Sequence, residues 1–443
     1  MVQYTLSDKK TDEYYKNHNY HTRKPVYISE DELRQDQLDR LTKSDTFCMI
    51  PWIHMHAFPD GRAYPCCLGD DSQPIGNLKK DSMETVWNDV PYKTMRKNML
   101  EEKSCKECTK CYEQEASGFV SMRNSTNKNF GHHIGLVDDT RPDGAYEDFK
   151  LRYYDVRFSN LCNFTCRTCG GWFSSSWYKE EEDLYGKRNY PKILFAGRDE
   201  YDMWNQMQVH IPYLEQVYFA GGEPLIMEEH YWILKELADR EMFDVKLIYN
   251  TNFSKLALKN DNVLDLWPLF KNVSVGASLD GMDAHGEYIR KGTKWDQIVR
   301  NREQMIERCP NVDFYVSSTV SLYNALHVTD FHKKWTELGF VKAQDWNVNI
   351  LQGPDRDRID VLPQRYKEQV TAQVQEHIEW LRPQDHLQRA TSGYEGMLHF
   401  MNSADNSHLL KEFFRVNDVH DEYRKEHFET TFSEYKELRT YVA

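Results

Sequence analysis

Between residues 150 and 352 the chain switches repeatedly between two periodicities. Short apolar or alternating runs at Leu151–Phe158, Glu215–Phe219, Val245–Tyr249, Val273–Ser278, Asp313–Thr319 and Asp345–Ile350 predict strands. Between them, Ser174–Leu184, Glu228–Arg240, Asp261–Phe270, Trp295–Arg308 and Ala325–Leu338 carry helical spacing, and a further helix, Glu200–His210, precedes the second strand. Strand–helix alternation predicts parallel pairing through right-handed crossovers. The fold class that follows is α/β, with a partial (β/α)6 barrel over 150–352. In such barrels functional residues sit at the C-terminal ends of the strands.

The flanks read differently. Residues 1–46 are polar and charged and predict an N-terminal arm, with a short helix starting at Ser29 and a capping box closed by Glu32. Residues 47–149 form a small cysteine-rich domain. Residues 353–443 predict a helical C-terminal extension, with Val370, Val374, Ile378 and Leu381 on one stripe of a Gln364–Leu381 helix. The stretch from Phe413 to Leu438 mixes aromatics with charges. It reads as helix packed on the barrel side; the alternative is a cover over the barrel or a grip on a macromolecular substrate.

Composition narrows the chemistry. A formal charge of −14 over 443 residues argues against a large nucleic-acid-binding surface. No run of 18 apolar residues occurs, and Met1-Val2-Gln3-Tyr4 lacks a signal-peptide core, so the expectation is a cytoplasmic protein with no membrane span. Ten cysteines in such a chain read as metal ligands rather than disulfides. Six lie between Cys48 and Cys111 and three between Cys162 and Cys169. Cys309, alone before Pro310, reads as a structural thiol.

Cys162, Cys166 and Cys169 are spaced C-x3-C-x2-C directly after the first predicted strand. Three thiolates can hold three corners of a [4Fe–4S] cubane, which normally takes four, and leave one iron open. Gly221-Gly222-Glu223-Pro224 follows the second strand, where two glycines permit close backbone approach and a carboxylate can accept from an ammonium group. With these two motifs the chain resembles the radical S-adenosylmethionine (SAM) superfamily. The resemblance implies that the open iron chelates SAM, whose reductive cleavage to methionine and a 5′-deoxyadenosyl radical begins hydrogen abstraction from a substrate. It implies that Gly221, Gly222, Glu223 and Pro224 contact SAM, with Glu223 on its ammonium group. Asn252, Ser278 and Arg290 are the matching polar residues at later strand ends, Arg290 pairing with the SAM carboxylate. A local role in loops or on the surface is the plainer reading of each. The aromatic residue that usually precedes the third cysteine is replaced here by Thr168.

The N-terminal group also has a pattern. Cys48 and Cys66 flank Gly61 as C-x12-G-x4-C, and Asp60-Gly61 is a hairpin signal that brings the two cysteines together. Cys105, Cys108 and Cys111 supply two overlapping C-x2-C pairs. This resembles the SPASM and shorter twitch modules of radical SAM enzymes, placed before the barrel rather than after it. The set implied is Cys48, Cys66, Cys108 and Cys111 around one auxiliary [4Fe–4S] cluster, with Cys105 or Cys67 as alternates. A zinc site with the same spacing, with His54 and His56 as nearby ligands, is the competing reading.

Taken together, the resemblance implies a radical SAM enzyme reduced by a flavodoxin- or ferredoxin-type partner. Its substrate would be a peptide or protein side chain. The alternatives are oxidation or rearrangement of a small metabolite, or a zinc-binding interaction protein without SAM chemistry.

Overall fold

The structure is a computed structural model that describes residues 33–116 and 120–442. The predicted Ser29–Glu32 cap lies outside the described residues; a helix spans Gln35–Thr42 and buries Gln37 and Leu41. The chain forms two compact units. The first comprises residues up to Leu161, Arg188–Ile248 and Leu266–Val273, and the second Cys162–Lys187, Tyr249–Asp265 and Ser274 onward.

In the first unit, β1 (His56–Ala57), β2 (Arg62–Tyr64) and β3 (Gly76–Asn77) form a small antiparallel sheet. Its first turn is the predicted Asp60-Gly61. Gly61 has φ +90°, and a Cβ there would lie 2.5 Å from Lys79 Cγ, so glycine is required. β4 (Tyr153–Tyr154) pairs in parallel with β5 (Gln216–Phe219), Tyr153 opposite Gln216. β4 is much shorter than the predicted Leu151–Phe158, because the flanks of that run are tied to the cysteine-rich segment. The Arg152 N–H donates to the Ile53 carbonyl (2.8 Å), the Arg157 N–H to that of Ala57 (3.1 Å), and Ala57 bridges Val156. Beyond β5, β6 (Lys246–Thr251) begins, with the Lys246 N–H on the Glu215 carbonyl (2.9 Å). Helix Glu228–Asp239 buries Tyr231, Ile233, Leu234 and Leu237.

β6 ends in the second unit, where a minor hairpin of β7 (Ala257–Leu258) and β8 (Asp261–Asn262) follows it. That hairpin, with Pro268 further on, breaks the predicted Asp261–Phe270 helix into Val263–Leu266 and a 3-10 turn at Trp267–Leu269. The main sheet continues as β9 (Val273–Ala277), β10 (Asp313–Val320) and β11 (Trp346–Ile350), all parallel and in sequential order. Val275, Ala277, Val316, Val320 and Trp346 have no exposed surface. A fully buried side chain of the Val, Leu or Phe class contributes about 1.5–3 kcal/mol. Helices Trp295–Arg308 and Gln364–Leu381 coincide with the predicted ranges. Asp283–Ile289 is an additional helix, and Arg389–Asn402 and Leu410–Arg424 fall in the predicted helical extension. The parallel α/β class is therefore as expected, with the sheet open rather than closed among the described residues.

Candidate metal centres

The C-x3-C-x2-C loop lies in the second unit, bracketed on both sides. The Thr165 N–H donates to the Lys291 carbonyl and the Arg167 N–H to that of Ile289, both at 2.8 Å. From the other side, the Ser176 hydroxyl donates to the Cys162 carbonyl (2.7 Å), and Trp177 Nε1–H to that of Cys166 (3.1 Å). The Cys169 N–H closes a turn on the Cys166 carbonyl at 3.0 Å. Gly292 has φ +112°, and a Cβ there would lie 2.6 Å from Phe164 Cδ1, so the bracketing segment carries glycine where it passes the loop. Cys162 and Cys166 are half-buried and Cys169 is exposed, which suits a group held at the unit's edge. Burial pushes the Cys166 thiol up to about 12, opposed by the nearby Arg290 guanidinium.

Arg167, inside the motif, is the centre of a buried network. Its guanidinium donates to Asn417 Oδ1 (2.8 Å), Asp421 Oδ1 (2.5 Å) and Glu426 Oε2 (2.7 Å), and lies 3.6 Å from the Tyr288 ring centroid. The Tyr288 hydroxyl also donates to Asp421 (2.8 Å). Nearby, Glu180 accepts from Arg424 Nε (2.9 Å) and pairs with His420 (2.7 Å), while Arg424 stacks 4.8 Å from the Trp177 ring. The Leu410–Arg424 helix thus grips the cysteine loop, a role the sequence reading did not give it.

Arg290 lies beside the same loop. Its Nε donates to Asp280 Oδ2 at 2.6 Å, and Asp280 Oδ1 accepts the Thr319 N–H of β10 at 2.7 Å. Burial alone would lower the Arg290 pKa, but Asp280 and the loop thiols reverse this and raise it. Asn252 is tied into the loop: its amide donates to Asn163 Oδ1 (2.9 Å) and its Oδ1 accepts from the Ser254 hydroxyl (2.6 Å). Ser278 sits half-buried just past β9, its N–H on the Thr251 carbonyl (2.7 Å). Asp280, which orients Arg290, was not singled out by sequence; its only signal is its place just beyond a strand end.

Gly221-Gly222-Glu223-Pro224 lies in the first unit. Gly221 and Gly222 have φ of +80° and +54°, and a Cβ on Gly222 would lie 2.3 Å from the Leu161 carbonyl oxygen. That oxygen accepts the Glu223 N–H at 2.8 Å. Glu223 is buried, and its Oε1 caps the following 3-10 turn by accepting the Leu225 N–H (3.0 Å). The motif is a constrained turn whose carboxylate spends one oxygen on its own backbone.

Also in the first unit, Cys48, Cys66, Cys108 and Cys111 line one pocket with Ile50, Leu68, Met95, Met99 and Met122. Cys48 sits just before the short helix Ile50–Ile53 and Cys66 just after β2; the 3-10 turn Lys106–Cys108 and helix Thr109–Ala116 deliver the other two. Burial lifts the Cys48 and Cys66 thiols above the ordinary range, and the neighbouring cysteines add to it, so a cluster that replaces their protons relieves both. Arg123 also lines the pocket; it donates to the Ser44 (2.7 Å) and Phe47 (3.1 Å) carbonyls and places a cation beside the thiols. The alternates do not line the pocket. The Cys105 thiol donates to the Met95 carbonyl (3.7 Å), and Cys67 lies against Asp155. Cys309 donates to the Leu264 carbonyl (3.5 Å), a structural role as expected.

Residues 48–112, ahead of the main sheet, match the SPASM family model, an iron–sulfur cluster-binding domain. No curated protein matches the chain. Solved structures that resemble it include native anSMEcpe with bound AdoMet (18% identity, TM-score 0.31, 45% of this chain and 50% of that one). Streptococcus suis SuiB bound to precursor peptide SuiA is another (12% identity, TM-score 0.34, 72% of each chain). TYW1 with a lysine-pyruvate adduct is a third (12% identity, TM-score 0.27, 50% of this chain and 69% of that one). The chain spans about half the length of the anSMEcpe chain it matches. Among the described residues no helix is long and apolar enough to cross a membrane.

Proposed function

We propose that the protein is a radical SAM enzyme with two [4Fe–4S] clusters. The observation that carries this reading is the Cys162–Cys169 loop: three thiols on one braced loop, a guanidinium beside them, and a pronounced investment of buried structure in holding that loop still. Cys162, Cys166 and Cys169 would hold the SAM-binding cluster, with the fourth iron left to SAM. With SAM bound and an electron supplied by the reductant, that group would provide reductive SAM cleavage for hydrogen abstraction from the substrate. Asp280 orients the Arg290 guanidinium, which would hold the SAM carboxylate. Asn252 fixes Asn163 within the loop, and Ser278 lines the same strand ends. On the sequence resemblance, the GGEP turn, Gly221 to Pro224, is assigned to the SAM ammonium group.

Cys48, Cys66, Cys108 and Cys111 would ligate the auxiliary cluster fully. With no open iron, that cluster is suited to accepting an electron from a substrate radical rather than to binding substrate. The substrate is proposed to be a peptide or protein side chain. Support for that class comes from the SPASM match over residues 48–112, a module that the resemblance associates with peptide-modifying enzymes.

The test is iron, sulfide and 5′-deoxyadenosine in anaerobically purified protein given SAM and dithionite. About eight iron per chain and deoxyadenosine formation are expected. Cys162→Ala should abolish SAM cleavage; retained deoxyadenosine formation would sink the assignment.

A further inference from the structure

Glu215 stands immediately before β5, and its main chain is locked into the sheet. Its N–H donates to the Arg152 carbonyl (2.8 Å), and its carbonyl accepts the Lys246 N–H (2.9 Å). The 3-10 helix Gly131–Asp139 lays two successive histidines against its side chain. His132 Nε2 lies 2.9 Å from Glu215 Oε2, and His133 Nε2 contacts Oε1. The two imidazole centroids are 4.0 Å apart, and a donor atom from each of the three residues lies within 4.8 Å of the others. Phe130 stacks with His132 (6.5 Å) and with Tyr153 of β4 (5.8 Å), which fixes where the helix presents its histidines. The three side chains keep 16–17% of their surface exposed, so the group is framed by structure yet open to solvent.

Neighbouring side chains on a 3-10 helix diverge by about 120°; here both turn onto one carboxylate. Two imidazolium ions at this spacing would repel each other and share a single negative charge. Neutral imidazole is the form that binds a metal. Two donors about 2.1 Å from one ion stand about 3.0–3.4 Å apart for angles between a right angle and the tetrahedral one. His132 Nε2 and Oε2, at 2.9 Å, need move only slightly to admit it. The chain's other histidine–carboxylate groups lack this convergence. His327 Nε2 reaches Glu434, but the His285 ring stacks on the His327 ring at 3.9 Å. The His56 nitrogen nearest Asp155 Oδ2 (3.3 Å) is the Nδ1 that donates to the Asp155 carbonyl, so it has no lone pair to offer.

We propose that His132 Nε2, His133 Nε2 and the Glu215 carboxylate form a mononuclear zinc site with water as the remaining ligand. Two imidazoles, one carboxylate and an open position are a donor set that zinc takes. On binding, each ring is neutral with its proton on Nδ1; a proton displaced from a charged ring leaves to solvent, and no electron is transferred. This group lies at the start of β5 and the GGEP turn beyond its end, so the ion sits apart from that turn and would staple the 3-10 helix to the sheet.

The test adds zinc to anaerobically purified holoprotein, which is then dialysed. About one zinc per chain should be retained with iron unchanged. Zinc-edge X-ray absorption should show nitrogen and oxygen ligands at about 2.0–2.1 Å, with imidazole scattering, and no sulfur at about 2.3 Å. That spectrum is read on unmutated protein, and it separates this site from zinc held by cysteines. His132→Gln and Glu215→Gln should each weaken zinc retention at least about 10-fold while iron content holds. No retained zinc, as for an ion pair alone, a sulfur-only shell, equal retention in the variants, or iron bound there in place of zinc would each overturn it.

Discussion

Replacing Asp421 with alanine removes its three shortest buried contacts at once, and a longer one from the Asn417 amide (3.5 Å). Asp421 Oδ1 accepts from Arg167 (2.5 Å) and from the Tyr288 hydroxyl (2.8 Å), and Oδ2 accepts the Phe428 N–H (2.8 Å). A buried donor left without a partner costs about 1–3 kcal/mol. Arg167 keeps Glu426 at 2.7 Å, so its charge is not stranded, and the three terms overlap. The expected loss is about 3–5 kcal/mol, the range for breaking one side of a buried ion pair. With a urea slope of about 3 kcal/mol/M, the unfolding midpoint of the second unit should fall by about 1–1.7 M. The assay is anaerobic urea unfolding of holoprotein, followed in parallel by the electron-paramagnetic signal of the reduced SAM-binding cluster, which should be lost at the same urea concentration. Glu412→Gln, on the exposed face of the same helix, should leave both unchanged. A midpoint shift below about 0.3 M for Asp421→Ala, or a cluster signal that persists through it, would refute the claim that this helix holds the loop.

Three further outcomes are expected. Cys108→Ala should lower iron by about one cubane, while Cys105→Ser should leave iron unchanged, since only Cys108 lines the pocket; elemental analysis decides between them. Gly292→Ala should lose SAM-binding-cluster iron selectively, because its φ of +112° and the 2.6 Å approach to Phe164 force the cysteine loop to move; an unchanged iron content contradicts this. Burial raises the Asp357 carboxyl from 3.8 to about 7, with Arg356 and Arg167 only partly opposing it. The folded state therefore holds a proton that the unfolded state has lost, and this stabilisation disappears as pH rises through about 7. Asp357→Asn should accordingly add up to about 4 kcal/mol at pH 8 and little at pH 4; urea midpoints at both values check the sign.

The sheet was legible because its strands carry apolar runs, or alternate buried apolar with half-buried positions as β6 does. β5, β6, β9, β10 and β11 fall within a residue or two of the apolar runs that announce them. β4 was overread because Leu151–Phe158 has the hydrophobicity of a strand but gives two of its N–H groups to the hairpin segment rather than to β5. The helix Asp283–Ile289 was missed because it is two turns long and carries Gly286. Motif spacing implied Cys108 and Cys111 with Cys105 as an alternate; in the structure Cys108 and Cys111 line the pocket, and Cys105, beside Cys108, does not. Residues that orient others left no local trace. Arg167 and Asp421 are 254 positions apart, and neither has a spacing that announces the other.

That separation bears on how the protein is made. Arg167 leaves the ribosome well before its partners, and at about 5–20 residues per second a stretch of 254 residues takes about 13–50 s. Throughout that interval the nascent cysteine loop has its immediate neighbours but not the helix that grips it. On the proposed cluster assignment, iron and sulfide would meet an accessible loop early in synthesis and a fastened one later, so the expectation is that cluster supply during translation, and not only after it, affects how much of the protein matures.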